Sequence, residues 1–483
     1  NAISTCIKNK INFSNILNFI NMNVHIKSVL CALAFSLLFY SKGLGLNIFI
    51  ISIIIGALLA TNNKEKPVPW LFLGCFCFTG LMVFISPSTL NIFAYLVSFL
   101  VLVGKFIAYK SSTYIAGLLG IVSICTASIG NLITNNNRTK DIAFKNNSKT
   151  LTYFKGALIA LVLIALFATL YRKANPIFNK YILKIDFSFI SINWLLFTIL
   201  GYFIFQHILR PFHSEELVQK DAELPNYLRK PEAPFPVFTI KKLSNEITLS
   251  SIVFASLNLL LIFFLVTDIT YLTNTNEFEN TDFSKSVHQG VYALVFSIVC
   301  AIAIILYFFR GNLNFYEKNK PLLYLTYLWI GLNSILTLIT CYKNYSYVAE
   351  LGFTYKRIGV FIYLLLVLGG LATAAIKVAQ QKNFWFLIRS NTTIAFMLLI
   401  VSSAIPWDSV ITKYNLANIE NPDIYYLIKL KNSDYKALLN YSEAFPEKMT
   451  DNETAWIKNR YKNSINDEAS KSWQELTLNS FNN

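Results

Sequence analysis

Residues 89–108 read TLNIFAYLVSFLVLVGKFIA, a largely apolar run in which Lys105 is the one charged side chain. A helix needs about 20 such residues to cross the ~30 Å hydrocarbon core of a bilayer. The run therefore predicts a membrane-spanning helix, and twelve runs of this kind follow one another along the chain. They lie near 26–41, 44–61, 69–86, 89–108, 113–133, 153–171, 190–209, 247–267, 289–309, 321–341, 358–378 and 391–406.

Composition agrees with a membrane protein. The 483 residues are 54% hydrophobic and only 14% charged, whereas about a quarter of the residues of a soluble protein carry charge. Because backbone groups in lipid must bond to one another, closely spaced runs favour helices. We expect an all-α, polytopic transmembrane helical bundle of about 12 spans, with 11 to 13 allowed, and a small helical C-terminal polar tail.

The polar segments divide the chain. We expect an N-terminal extension at 1–25, which is either an interfacial helix or upstream sequence, and a first membrane half-bundle at 26–209. A polar, Pro-rich connector at 210–246 follows, then a second half-bundle at 247–406 and a soluble tail at 407–483.

Local signals refine these divisions. A continuous helix through the first two runs would bury Lys42 in the membrane, so a tight hairpin at residues 41–43 is expected. In the tail, we predict short helices at Asp423–Leu430 and Asp434–Tyr441, and a third at Glu453–Leu478.

The net charge of +16 is distributed unevenly. Residues 1–407 contain 33 Lys and Arg against 15 Asp and Glu, whereas residues 408–483 contain 9 against 11. The cations lie mostly in short loops, where they orient spans and meet anionic headgroups. Nucleic-acid binding would need a clustered basic face, and the sequence shows none.

Loop charge also predicts orientation. The loops within 210–246, 310–320 and 377–390 hold 12 Lys and Arg, against 4 in the two loops between them. The positive-inside rule places the richer loops in the cytoplasm and the tail outside. Twelve spans then put the basic N-terminus outside as well, and eleven spans would remove that conflict.

Few residues indicate chemistry. The seven cysteines form no regular framework, and no zinc-hydrolase helix, phosphate loop or serine elbow is present in the sequence. Lys105, Lys155 and Lys377 lie near predicted span ends, where snorkelling explains them. We therefore predict no catalytic residue, no metal site and no cofactor.

Four residues remain as candidate binding residues. His288 either senses external pH, pairs with Asp282, or is an exposed interfacial histidine. Asp268 is the last residue of the eighth span, and the simpler interpretation is that it faces water there instead of binding a ligand. His207 either transfers a proton or contacts a ligand, or lies at the cytoplasmic interface. Arg357 is the fourth, at the headgroup level.

Arg357 belongs to a motif, Gly352-Phe353-Thr354-Tyr355-Lys356-Arg357, that opens the eleventh predicted span. Gly352 is expected to form the turn and Thr354 to cap the helix. A purely structural role explains this motif without further function.

Several spaced motifs make the chain resemble a bacterial multi-pass family, the DUF 4153 and 4173 group of domains of unknown function. The resemblance covers roughly residues 170–440, with Phe353 where Leu is expected, and it implies a bacterial cytoplasmic membrane protein without implying any catalytic residue. It rests on Ala174-Asn175-Pro176-Ile177-Phe178, Thr270-Tyr271-Leu272, Asp282-Phe283-Ser284, His288-Gln289-Gly290-Val291-Tyr292-Ala293-Leu294, Tyr347-Val348, Gly352-Phe353-Thr354, Arg357, Trp407-Asp408-Ser409-Val410-Ile411 and Tyr414-Asn415-Leu416.

These features favour a non-enzymatic inner-membrane protein that acts as an envelope scaffold, accessory or sensory subunit. Its expected partners are membrane lipids and an envelope protein bound through the tail and loops. The alternative is a transporter or channel for a small or lipidic solute, and an enzyme acting on lipid ranks third.

Overall fold

The computed structural model describes residues 23–62, 67–138, 191–211, 215–230, 236–273, 301–309 and 311–478, together with part of 156–178 and residues 297 and 300. Throughout these ranges the regular structure is helical and no β-strand occurs. The predicted N-terminal interfacial helix lies outside the described residues.

Polar residues mark where the helices of the first half begin. Ser88 accepts a hydrogen bond from the Asn91 N–H at 3.1 Å, and Ser191 accepts one from the Trp194 N–H at 3.0 Å. Such caps satisfy backbone donors that the first helical turn leaves unpaired. The helices are α1 (Val24–Phe39), α2 (Leu46–Asn62), α3 (Trp70–Ile85), α4 (Thr89–Ile107), α5 (Thr113–Arg138) and α6 (Ile192–Leu209).

The connector contains a short helix, and the helices after it are longer. Helices α8 and α9 have 37 and 32 residues, hence lengths of roughly 55 and 48 Å at 1.5 Å per residue. Both therefore extend beyond a bilayer core of ~30 Å. The helices are α7 (Glu215–Glu223), α8 (Val237–Thr273), α9 (Lys320–Leu351), α10 (Tyr355–Ala379) and α11 (Phe384–Ser403), and residues 301–308 are also helical.

The helical-bundle prediction is confirmed, and the predicted break after the first run is present between α1 and α2. The expected count of about twelve spans is not established, because the sixth and ninth predicted runs fall largely outside the described residues. Six described helices are long and apolar enough to cross a membrane: Thr89–Ile107, Ile192–Leu209, Phe238–Thr270, Glu317–Leu351, Tyr355–Ala379 and Phe384–Ser403. Shorter apolar helices occupy Val24–Phe39, Leu46–Thr61, Trp70–Ile85 and Thr113–Cys125.

Helices that follow one another mostly pack side by side. In the first half α2 packs on α3, α3 on α4, and α4 on α5, while α1 packs on α6. Helices α4 and α5 approach so closely that a Cβ on Gly120 would lie 2.0 Å from the Leu100 carbonyl oxygen. Glycine at this position of α5 therefore permits close helix packing.

Helix α11 joins the two halves. It packs on α10 and also on α3, α4 and α5. Phe396 of α11 is buried in an apolar cluster with Val101 and Ala116, and its ring centroid lies 5.8 Å from that of Phe72. The last predicted span therefore belongs by packing to both half-bundles.

The three Lys- and Arg-rich loops of the second half meet at one end of the bundle. Tyr227 and Lys382 form an antiparallel β-bridge, and the Gln381 amide donates to the Asn314 carbonyl oxygen at 2.9 Å. We call this the connector end.

The opposite end is the tail end. There the Tyr40 hydroxyl hydrogen-bonds the Ser191 hydroxyl at 2.7 Å, so α1 ends beside the start of α6. Asn432 of the tail donates to the Ser86 hydroxyl at 3.4 Å between α3 and α4. The tail therefore contacts the first half-bundle, although it follows the second in sequence.

The tail is built from four helices, α12 (Trp407–Asn418), α13 (Ile424–Lys429), α14 (Tyr435–Ala444) and α15 (Asp451–Ser470). The predictions of α13 and α14 are confirmed, with Asp423 and Asp434 as their N-caps. The predicted third helix ends at Ser470, and Trp473 lies beyond it in a 3₁₀ turn. Helix α12 was not predicted.

Snorkelling was the wrong explanation for Lys105 and Lys377. Both side chains are buried, at 8% and 2% exposure. Lys105 donates to the Ser111 carbonyl, and Lys377 Nζ donates to the Phe309 carbonyl oxygen at 2.9 Å. Each ammonium group therefore turns inward and binds a main-chain carbonyl. For Lys377 that carbonyl lies at the end of the helix of residues 301–308, where the helix dipole favours a cation.

Candidate functional site

The turn between α9 and α10 has the features predicted for it. Gly352 adopts a φ of +79°, a left-handed conformation that glycine reaches without steric cost. The Thr354 side chain caps α10 by accepting from the Arg357 N–H. The Arg357 guanidinium donates to the Leu351 and Gly352 carbonyls and lies 4.0 Å from the centroid of the Tyr347 ring. Arg357 therefore caps the C-terminus of α9.

Helix α12 of the tail binds this turn through Asn415. The Phe353 N–H donates to Asn415 Oδ1 at 2.7 Å, and Asn415 Nδ2 donates to the Phe353 carbonyl oxygen at 3.0 Å. Asn415 is 4% exposed, so water cannot easily replace these bonds. A Cβ on Gly352 would lie 2.5 Å from Asn415 Oδ1. The glycine therefore provides both the turn and the space for the amide.

Asp408 makes the second polar contact between tail and bundle. Its carboxylate accepts from the Tyr355 hydroxyl at 2.7 Å and from the Asn432 N–H at 3.0 Å. Asp408 is buried, and hydrogen bonds to a charged group of this kind are stronger than neutral ones. One carboxylate thus links α10 to two separate parts of the tail.

An apolar cluster surrounds these polar contacts. Each tail helix contributes a fully buried side chain, Ile411, Leu427, Leu438 and Ile457 in chain order, and Ile358 of α10 joins them. Burying one such side chain contributes about 1.5–3 kcal/mol. The tail therefore has its own core, which is shared with the membrane bundle at α10.

Two predicted residues are tied to the same helix. Asp268 of α8 forms an ion pair with Lys343 of α9, and the next residue, Asn344, donates to the Arg357 carbonyl oxygen at 3.1 Å. Asp268 and Arg357 are thus connected through adjacent residues of α9. Asp268 lies at a span end, as expected, but it is paired and mostly buried.

The family comparison matches this architecture. A family model described as "Domain of unknown function (DUF4153)" matches residues 26–441. The chain belongs to the DUF4153 family. The predicted resemblance is confirmed, and the match extends further toward the N-terminus than the motifs indicated. Comparison with curated proteins and with solved structures gave no match.

Motifs that carried the DUF4153 resemblance meet in the tail contact. Tyr347, Gly352 and Phe353 lie close together in sequence, Asp408 lies more than 50 residues later, and all four belong to one network. Asp408 and Asn415 were quoted as motif residues but were not predicted as site residues. Their place in a motif was the available signal, and only the fold shows what they bind.

The remaining predicted residues do not join this network. His207, in the last turn of α6, is buried and its Nδ1 lies 2.8 Å from the Ile124 carbonyl oxygen. It therefore contacts α5, and its suggested position at the cytoplasmic interface stays a prediction. His288, with its suggested partner Asp282, lies outside the described residues.

A second buried polar network lies at the connector end. Asp221 of α7 accepts from the Ser112 N–H at 2.8 Å and pairs with Arg389 of α11 at 2.9 Å. Arg389 also donates to the Leu224 carbonyl oxygen at 3.0 Å and to Asn226 Oδ1 at 2.6 Å. Although burial alone raises the pKa of Asp221, the Ser112 N–H and the Arg389 guanidinium lower it below the ordinary aspartate range.

This ion pair joins both half-bundles to the connector, since Ser112 precedes α5 and Arg389 lies in α11. Thr113 and Thr393 add a direct hydroxyl–hydroxyl contact of 2.9 Å between the same two helices. Sequence reasoning missed Asp221 because it is one of several charges in a polar segment. The nearby Glu216–Lys220 pair is exposed, as expected for that segment.

A row of polar side chains also runs inside the second half-bundle. Thr326, Asn333, Thr337 and Asn344 lie on one face of α9 and are all buried. The hydroxyls and the Asn333 amide hydrogen-bond carbonyls of their own helix. Among the described residues of this half-bundle, four buried side-chain atoms have no hydrogen-bond partner, namely Ser251 Oγ and Asn258 Oδ1 on α8, and Trp329 Nε1 and Asn344 Oδ1 on α9.

The polar groups of the tail contact hold the tail on the membrane bundle. Its donors and acceptors bind one another, and no group of three or more His, Cys, Asp or Glu side chains suited to a metal occurs among the described residues. The arrangement fixes the tail on the bundle with buried, directional bonds.

Proposed function

We propose that this membrane protein is a non-enzymatic scaffold of a bacterial inner membrane, whose tail is a fixed platform for an envelope partner. The observation that carries the proposal is the Asp408 and Asn415 network, which fastens a folded tail to α10 through buried bonds. A rigid platform binds a partner without first losing conformational entropy on ordering.

The ends of the helices support a topology for this scaffold. Helix α5 begins at the connector end, beside Asp221, whereas α6 begins at the tail end, beside Tyr40. A 26-residue α5 covers roughly 39 Å and so reaches the tail end. Helix α1 also ends at the tail end, where α12 begins beside Tyr355.

We expect an odd number of spans, because α1 and the last span, α11, both end at the tail end. The N-terminus and the tail would then lie on opposite sides of the membrane. Eleven spans with the basic connector end in the cytoplasm satisfy the positive-inside rule at both termini. The tail then lies outside the cytoplasm. A reporter fused after Asn483 that matures only in the cytoplasm would contradict this orientation.

The scaffold role is tested by capture of a partner from native membranes. The tagged full chain, a 407–483 deletion, Asp408→Ala and Lys413→Ala are compared after chemical cross-linking. Lys413 is an exposed tail residue whose ion pair with Asp434 contributes little, so it is the matched control.

The same protein should be recovered with the wild type and Lys413→Ala, several-fold less with Asp408→Ala, and not with the deletion. Recovery of that protein at equal yield without the tail would rule out the platform, as would a wild-type chain that cross-links to nothing.

The α9 polar row supports a second candidate function, transport of a small polar solute. Unsatisfied polar atoms in an apolar interior cost about 1–3 kcal/mol each, and a hydrogen-bonding solute would satisfy them. In liposomes, Asn258→Leu should then reduce the flux of the solute. Thr326→Val should not reduce it, because the Thr326 hydroxyl already bonds a carbonyl of its own helix. Equal flux through liposomes with and without the protein would remove this candidate.

A further inference from the structure

The last described residues of the chain, 471–478, lie against the turn between α1 and α2. We call them the C-terminal segment. The Gly43 N–H donates to the Glu475 carboxylate, and the Leu46 N–H donates to the Leu476 carbonyl oxygen at 2.8 Å. A Cβ on Gly45 would lie 2.5 Å from the Glu475 carbonyl oxygen. The turn therefore donates hydrogen bonds directly to the segment, and these bonds fix which residues of the two lie opposite each other.

The C-terminal segment buries polar side chains and exposes apolar ones. Gln474 and Thr477 are buried at 7% and 4% exposure, whereas Trp473 and Leu478 are 50% and 39% exposed. A segment that faced water would expose the polar pair and bury the apolar pair. Its outward side is therefore suited to an apolar or amphipathic surrounding.

The position of the segment along α1 identifies that surrounding. Ile26, Val29, Leu33 and Leu37 form an exposed apolar row on α1, as a lipid-facing helix requires. The row ends at Leu37, and Gln474 Nε2 donates to the Leu37 carbonyl oxygen at 3.4 Å. The segment therefore lies where the lipid-facing surface of α1 ends.

Charged side chains occupy the same level. Lys42 follows α1 and interacts electrostatically with Glu475 of the segment, and Lys471 opens the segment two residues before Trp473. Tryptophan and lysine are the side chains that favour the boundary between headgroups and acyl chains. The matched family region ends at residue 441, so the segment lies outside it.

We propose that the C-terminal segment is a lipid-binding element that inserts Trp473 and Leu478 into the interfacial layer of the bilayer, while Glu475 fixes its register on the α1–α2 turn. Its partner is the headgroup–acyl boundary of the surrounding membrane. An indole has an apolar body and one N–H donor, so it suits this layer better than either water or hydrocarbon.

The test uses the full chain, labelled with 5-fluorotryptophan, in nanodiscs of phosphatidylcholine and phosphatidylglycerol. The variants Trp473→Phe and Trp456→Phe assign the two resonances. Trp456 is the matched control, because it is a tail tryptophan that packs on Tyr425, with ring centroids 5.5 Å apart. Fluorine relaxation is then measured with 5-doxyl phosphatidylcholine in the bilayer.

Relaxation caused by the lipid label should be several-fold larger at Trp473 than at Trp456. Equal or smaller relaxation at Trp473 would overturn the proposal and would indicate that the segment faces water or a protein partner. In Glu475→Gln, the effect at Trp473 should fall while Trp456 stays unchanged. An unchanged Trp473 in that variant would show that Glu475 does not fix the register.

Discussion

Asp408→Ala removes the carboxylate that joins the tail to α10. The buried carboxylate accepts from the Tyr355 hydroxyl at 2.7 Å and from the Asn432 N–H at 3.0 Å. Bonds to charged groups contribute about 1.5–3 kcal/mol each, and alanine leaves both donors unsatisfied. We expect a loss of about 3–5 kcal/mol in the free energy of tail docking. Asp408→Asn keeps one acceptor and should cost less.

Hydrogen exchange of the full chain in nanodiscs measures this loss at the contact itself. A loss of 3 kcal/mol raises the opening equilibrium, and hence the exchange rate, roughly 100-fold. The effect should be seen at the amides of Asn432 and Phe353, whereas peptides from α7, which lies at the connector end, should exchange as in the wild type.

A double-mutant cycle with Tyr355→Phe separates the direct bond from indirect effects. If the hydroxyl and the carboxylate bind each other, the coupling energy should be about 0.5–3 kcal/mol. Additive effects, or wild-type exchange at Asn432 in Asp408→Ala, would show that the carboxylate does not hold the tail.

Three further outcomes are expected. Arg389→Ala leaves Asp221 buried without its cation and should destabilise the chain by about 3–5 kcal/mol, measured as a lower midpoint of thermal unfolding in nanodiscs, and Arg389→Lys should recover only part of the loss. Gly352→Ala places a Cβ against Asn415 at a positive φ and should cost more than about 1 kcal/mol, seen as faster exchange at the tail contact. Bonds from the Gly43 N–H and the Ser472 hydroxyl lower the pKa of Glu475 to about 2, so its contribution is complete above the ordinary glutamate pKa and is lost as the pH falls toward 2. Lipid-label relaxation at Trp473 should therefore decrease in acid in the wild type but not in Glu475→Gln.

The positions of the helices could be predicted because they depend on local composition. Apolar runs near 20 residues, caps such as Ser88 and Asp434, and the break at Lys42 each act within one or two turns of helix. Helix α12 was missed because it follows Pro406 directly and carries no long apolar run. The third tail helix was predicted too long, because Trp473 was assigned to a helix that ends before it.

The candidate site was predicted only in part, for a related reason. Gly352, Thr354 and Arg357 act on neighbouring residues, so their spacing alone indicates a turn and a cap. Asn415 and Asp408 act across more than 50 residues, and no periodicity links them to the turn they bind. Buried ion pairs such as Asp221 and Arg389 are hidden in the same way, because burial is decided by packing and not by local sequence.

The contacts between the two halves distinguish the two candidate functions. Alternating access requires the halves to separate at one end at a time. Yet Thr113 binds Thr393 directly at the connector end, and at the tail end Asn432 of the tail binds Ser86 of the first half while Asp408 joins the tail to α10. A disulfide between Thr113→Cys and Thr393→Cys, formed after purification, should therefore leave partner capture unchanged if the protein is a rigid scaffold. A transporter joined in this way should lose its flux, and each single-cysteine variant should retain it. Loss of partner capture in the oxidised pair, restored by reduction, would show that the halves move and would contradict the rigid platform.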